Sequence, residues 1–143
     1  MKKLAKIKIV VDNDDDQNIA EEFVEEMKEI AKKFGLDMYK AYVGAEGEYR
    51  GNKGWYWSAE ARFKGDNVSF VISYDVEGNY KREALMISGT FFGERVIDEY
   101  EGGRYGWEDS YDLLKPYFEE NKNDILIEIA ELQKRIDELK KLL

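Results

Sequence analysis

The apolar positions of this chain change period twice, and the changes mark out its elements. From Leu4 to Val11 they alternate, with Ala5, Ile7, Ile9 and Val11 on one side and Lys6 and Lys8 on the other. Period two is the signature of a half-buried strand. Ile19, Ala20, Phe23, Val24, Met27, Ile30, Ala31 and Phe34 then recur at helical spacing, with Glu and Lys between them. That stripe predicts an amphipathic helix with one buried face. Gly35 stands where a left-handed C-terminal cap is expected.

From Leu36 the period returns to two. Leu36–Val43 reads as a strand extending toward Arg50 through Gly44 and Gly47. A turn is predicted over Gly51-Asn52-Lys53-Gly54. The next strand puts Trp55, Trp57, Ala59, Ala61 and Phe63 on one face. Gly65-Asp66-Asn67 turns the chain into an inward set of Val68, Phe70, Ile72, Tyr74 and Val76. Glu77-Gly78-Asn79 turns it again into Tyr80–Phe92, where Gly89 and Gly93 predict bulges or bends. Arg95–Tyr100 continues that strand or forms a separate one. Connections this short describe an antiparallel meander. A helix is expected from Asp109 or Ser110, with Pro116 tolerated only near its start or as a break. The strongest helical run covers about residues 123–143.

These elements define an α+β class and a single domain over residues 1–143. Its order is strand, helix, antiparallel meander of about five strands and long C-terminal helix. The first helix is expected to cover one sheet face. The order resembles helix-grip folds, which enclose ligands between a curved sheet and a terminal helix. Those folds usually carry two short helices after the first strand, where this chain carries one long one. In the last helix Ile129 and Ile136 occupy heptad position a, and Leu132 and Leu139 position d. Ile at a with Leu at d favours a parallel homodimer. Parallel pairing would set Arg135 against Lys140 as like charges, so an antiparallel partner, or packing onto the chain's own sheet, stands beside it.

Composition narrows the functions. With 31 acidic and 22 basic residues the formal net charge is -9. Neutralising phosphates needs clustered Lys and Arg, so nucleic acid is not an expected partner. A basic protein is. The chain has no Cys and no His. That excludes disulfides, thiolate metal sites and Ser–His or Cys–His nucleophiles. Lys6 and Lys8 interrupt any signal-like apolar core, and no run reaches transmembrane length, so a cytoplasmic setting without a membrane is expected. A single Pro in 143 residues, with heavy Lys and Glu use, fits a designed scaffold. The irregular, aromatic-rich stretch Gly89–Trp107 does not.

The stretch VVDNDDDQNIAEEF, residues 10–23, holds the densest carboxylates. Asp12, Asp14 and Asp16 have the opening spacing of an EF-hand loop. Gln17 and Phe23 stand where that loop needs Gly and a bidentate Glu. The expectation is no specific metal site, with weak divalent-cation binding at these three aspartates left open. IKIVVDND resembles the first motif of haloacid dehalogenase-type phosphatases. The resemblance implies Asp12 as nucleophile and Asp14 as general acid. The same stretch resembles the acidic pocket of response-regulator receivers. Both families need later parallel strands, and the pattern here turns into an antiparallel meander. The helical reading accounts for the position best: Asp14 to Asp16 offer caps and Asn18-x-x-Glu21 a capping box.

Glu60 and Asp75 fall on outward strand positions, with Glu83 and Asp98 as expected neighbours, a pairing of the kind a two-carboxylate hydrolase uses. The expectation is no catalytic residue and no cofactor. Trp55, Trp57, Phe70 and Tyr74 lie on the predicted inner face, as core or as the lining of an apolar pocket. Tyr49, Arg50, Arg104, Tyr105 and Trp107 fall near predicted loops, and Tyr, Trp and Arg are favoured anchors. The sequence thus points to a non-enzymatic, acidic, inhibitor-like binding protein for a basic partner. The alternatives are a domain binding a small apolar or planar ligand, and a scaffold whose only function is to fold.

Overall fold

The computed structural model describes residues 5–11, 14–49, 52–77, 82–91, 95–102 and 107–143. Strand β1 (Lys6–Val10) leads into helix α1 (Asp14–Phe34). Five strands follow: β2 (Asp37–Tyr49), β3 (Asn52–Lys64), β4 (Val68–Glu77), β5 (Arg82–Phe91) and β6 (Arg95–Gly102). A 3-10 turn at Trp107–Asp109 enters helix α2 (Ser110–Lys140). The sheet runs β1-β2-β3-β4-β5-β6 in space as in sequence. β1 pairs with β2 in parallel, and every later pairing is antiparallel. The fold is α+β, as the pattern predicts, with a parallel strand added to the meander's edge. Parallel neighbours need a long crossover, and α1 supplies it.

By backbone contacts the chain divides into two units, Met1–Tyr111 and Asp112–Leu143. In the first, α1 rests on β2 and β3. Its stripe of Ala20, Phe23, Val24, Met27, Ile30 and Ala31 is buried. Ala41, Val43, Ala59, Ala61, Phe63, Phe70, Ile72, Leu85, Ile87 and Ile97 are buried on the sheet. Phe63 and Phe70 are cross-strand partners and stack at 4.8 Å and 17°. The helix closes as predicted. Gly35 has φ of 67°, Leu36 N donates to Ala31 O at 2.7 Å, and Gly35 N donates to Lys32 O at 3.3 Å. This is a Schellman cap.

Several boundaries move. α1 begins at Asp14, so Asn18 lies inside the helix and caps nothing. Asp14 and Asp15 instead sit in the first turn, where they complement the helix dipole. Tyr49 pairs with Asn52, so Asn52, Lys53 and Gly54 belong to β3 and not to a turn. Gly89 forms no bulge: register runs unbroken through its pairing with Phe70. A Cβ there would overlap the Ser69 carbonyl oxygen and Phe70 Cβ, so glycine is needed for close approach of β5 to β4. The turn at Gly78-Asn79 and the bend at Gly93 lie outside the described residues.

The second unit is the body of α2. The helix starts at Ser110, as expected, and runs on without a break through the strong segment expected from about residue 123. Pro116 lies inside it. Its missing N–H leaves the Asp112 carbonyl without its helical donor, a loss the second turn of a long helix absorbs. From Leu126 to Leu143 every residue is exposed. Among the described residues, no helix is long and apolar enough to cross a membrane.

Candidate functional site

The aromatic residues separate into core and surface once packing is known. Phe70 is 1% exposed and Tyr74 4%. Trp107, part-buried, meets Phe23 of α1 edge-on at 5.6 Å and 86°. It meets Tyr74 of β4 edge-on at 5.1 Å and 84°. The 3-10 turn thus pins an indole between helix and sheet, so Trp107, expected as a loop anchor, packs against α1 and β4. Tyr111 extends the same side of the molecule. It stacks on Phe34 at 5.2 Å and takes Lys33 Nζ over its ring at 4.4 Å. Tyr49, Trp55 and Trp57 lie on β2 and β3, but their side chains are outside the described residues. Arg50, Arg104 and Tyr105 lie outside them entirely.

Among the described side chains, the register brings Glu60 and Asp75 to neighbouring positions and leaves Asp98 apart from them. Asp75 pairs across with Ala84, and Glu83 pairs with Val76 one position along; the Glu83 side chain lies outside the described residues. Asp98 is on β6, three strand spacings from Glu60 on β3, or roughly 14 Å. Glu60 and Asp75 are one rung apart on neighbouring strands. Glu60 is already engaged: its Oε1 accepts from Arg62 Nε at 3.1 Å and from an Arg62 terminal nitrogen at 3.0 Å. The negative charge of Glu60, and then its hydrogen bond, holds the Arg62 guanidinium above its usual titration range. Among the described residues no group of three or more acidic side chains is placed to hold a metal ion. Asp12 and the side chain of Asp16 lie outside those residues.

Two charged surfaces emerge on opposite faces of the sheet. α1 carries exposed Asp14, Asp15, Glu21, Glu22, Glu25 and Glu29 on its outward side. Glu21, Glu25 and Glu29 follow one another at i,i+4, where like charges repel by about 0.2–0.5 kcal/mol per pair. Lys28 Nζ reaches Glu25 at 3.3 Å and offsets part of this. Over β1 to β3 the outer sheet face carries the reverse charge. Lys6, Lys40 and Arg62 are register partners across β1, β2 and β3. Lys8, Tyr42 and Glu60 form the next rung. Lys6, Lys8, Lys40, Tyr42 and Glu60 line a shallow, open depression of about 730 Å³. Lysines on an edge strand also discourage addition of a further strand. Sequence reasoning missed this cationic row. The alternation of Lys6 and Lys8 showed one end of it, but the register that adds Lys40 and Arg62 was not readable.

The apolar heptad positions of α2 form a third surface. Ile129 is 56% exposed, Leu132 57%, Ile136 45% and Leu139 46%. Comparison with known proteins adds no relative: no family model, no curated protein and no solved structure matches the chain.

Proposed function

We propose that the chain is a non-enzymatic binding protein, an acidic and inhibitor-like interaction module that engages a basic protein in a cytoplasmic setting. The observation that carries this is the outward ridge of α1. Acidic residues in a helix's first turn are explained by its dipole. Glu25 and Glu29 lie well past that turn, and the Glu21, Glu25, Glu29 spacing works against the helix. A run of charge that local stability disfavours supports a use elsewhere. Opposite charge on a partner would relieve the repulsion and steer encounter. In the same reading two copies pair through Ile129, Leu132, Ile136 and Leu139, presenting two ridges and raising avidity.

Phe70 and Tyr74 have almost no surface to offer a ligand. That removes two of the four side chains of an aromatic pocket, and the small-ligand alternative draws no support from the packing. The test is affinity capture with the full chain as bait at about 50 mM salt, beside a triple variant E21Q/E25Q/E29Q. Captured partners should be basic, and the variant should lose them. Partners retained equally by the variant would overturn the reading.

A further inference from the structure

We infer that α2 pairs with α2 of a second copy in an antiparallel coiled coil, in the register that sets Glu128 beside the partner's Arg135. This deepens the pairing part of the reading above; engagement of a basic protein does not depend on it. Exposed apolar side chains are ordinary when scattered. Here they recur at heptad spacing along one line of a continuous helix, and contiguous patches of this kind mark contact sites.

Charge decides the orientation. With Ile129 and Ile136 at a, Glu128 and Arg135 occupy g, and Leu126, Gln133 and Lys140 occupy e. A parallel pair matches g with e of the partner. It would oppose Arg135 and Lys140 twice and put Glu128 against an uncharged Gln133. Antiparallel helices match a with d and g with g.

Two antiparallel registers give four full apolar layers within the helix. The first centres between Leu132 and Ile136, pairing Leu132 with Ile136 and Ile129 with Leu139. It sets Arg135 against Arg135 at the axis. It would gain a fifth and sixth layer only through Leu143, which lies beyond the helix end at Lys140. The second pairs Ile129 with Leu132 and Ile125 with Ile136. Leu139 then meets Lys122, whose methylene stem can cover it while the ammonium reaches water. This register sets Glu128 against Arg135 twice, once on each side of the axis. Among the three arrangements it alone has attraction and no like-charge contact.

The overlap runs from Lys122 to Leu139, about 27 Å of helix. Covering the half-exposed apolar residues of both copies removes roughly 1,000 Å² from water, the low end for a specific interface. The pairing is therefore expected in the micromolar range.

The test uses the full chain in light scattering from about 1 to 100 µM, together with R135E and E128R/R135E. Wild type should pass from monomer to dimer across this range. R135E should dissociate roughly tenfold more readily, because two attractions become repulsions, and E128R/R135E should recover most of the loss. A parallel dimer predicts the opposite, since R135E would relieve the Arg135–Lys140 repulsion and tighten it. The chain is free of cysteine, so L139C adds a single thiol. It should form no disulfide dimer in the antiparallel register and form one readily in a parallel pair. Wild type monomeric at 100 µM, tightening by R135E, failure of rescue, or an L139C disulfide would each overturn the inference. Melting temperatures of the variants check that the fold is kept. Partner capture by the α1 variants is read separately, so loss of one claim leaves the other measurable.

Discussion

Replacing Trp107 with alanine distinguishes a packing residue from a contact residue. The indole makes two edge-on aromatic contacts, to Phe23 at 5.6 Å and to Tyr74 at 5.1 Å. Each such contact contributes about 0.5–1.5 kcal/mol beyond burial. A part-buried Trp also removes on the order of 120 Å² of apolar surface from water, or about 3 kcal/mol. Some of this is regained by relaxation around the alanine, so the expected loss is about 3–5 kcal/mol, in line with other large aromatic deletions. Against a typical stability of about 5–15 kcal/mol this is a large fraction. Urea unfolding followed by circular dichroism at 222 nm measures it, and the midpoint should fall by roughly 2 M. W107F keeps a ring between α1 and β4 and should lose only about 1–2 kcal/mol. A W107A loss below about 1 kcal/mol would refute the packing argument. So would a variant of unchanged stability that no longer captures a partner, which would return Trp107 to the surface role.

Three further changes probe the same frame by urea unfolding. G89A forces a Cβ into Ser69 and Phe70 and should destabilise by about 1–3 kcal/mol; a neutral result would mean β4 and β5 can separate freely. G35A meets no atom within 4 Å, so its expected loss of about 1 kcal/mol comes from positive φ alone, and G35N should lose less. Ser110 Oγ is buried without a hydrogen-bond partner, so S110A should be neutral or stabilising by up to about 1 kcal/mol; a clear loss would show that the hydroxyl has a partner after all.

What the sequence revealed follows from which physics is local. The stripe of α1 and the alternation from Val68 to Tyr74 were readable because burial imposes a period on neighbouring residues. Gly35 was readable because only glycine is at ease at positive φ. The direction of β1 was not, since alternation is the same in parallel and antiparallel strands; the long helix before β2 was the available clue. Gly89 illustrates a second limit. One glycine can mark a bulge or a close approach, and the difference lies in Ser69 and Phe70 on another strand. Trp107 follows a glycine-rich segment and resembles a loop anchor until Phe23 and Tyr74 are seen around it. The cationic row of Lys6, Lys40 and Arg62 depended on register across three strands. Pro116 fitted either a helix start or a break, and Ser110 as the first residue places it near the start, in the second turn.

The acidic ridge of α1 acts, in the function proposed above, as a binding surface. That role is tested most directly by the affinity of a captured basic partner for wild type and for E21Q/E25Q/E29Q, measured at about 50 and 300 mM salt. The three substitutions keep side-chain shape and helix propensity while removing two like-charge repulsions and the Lys28–Glu25 ion pair, so stability should hold or rise by up to about 1 kcal/mol. At low salt the variant should bind at least roughly tenfold more weakly, and the difference should shrink at high salt. Equal affinity for both proteins, or binding indifferent to salt, would contradict it.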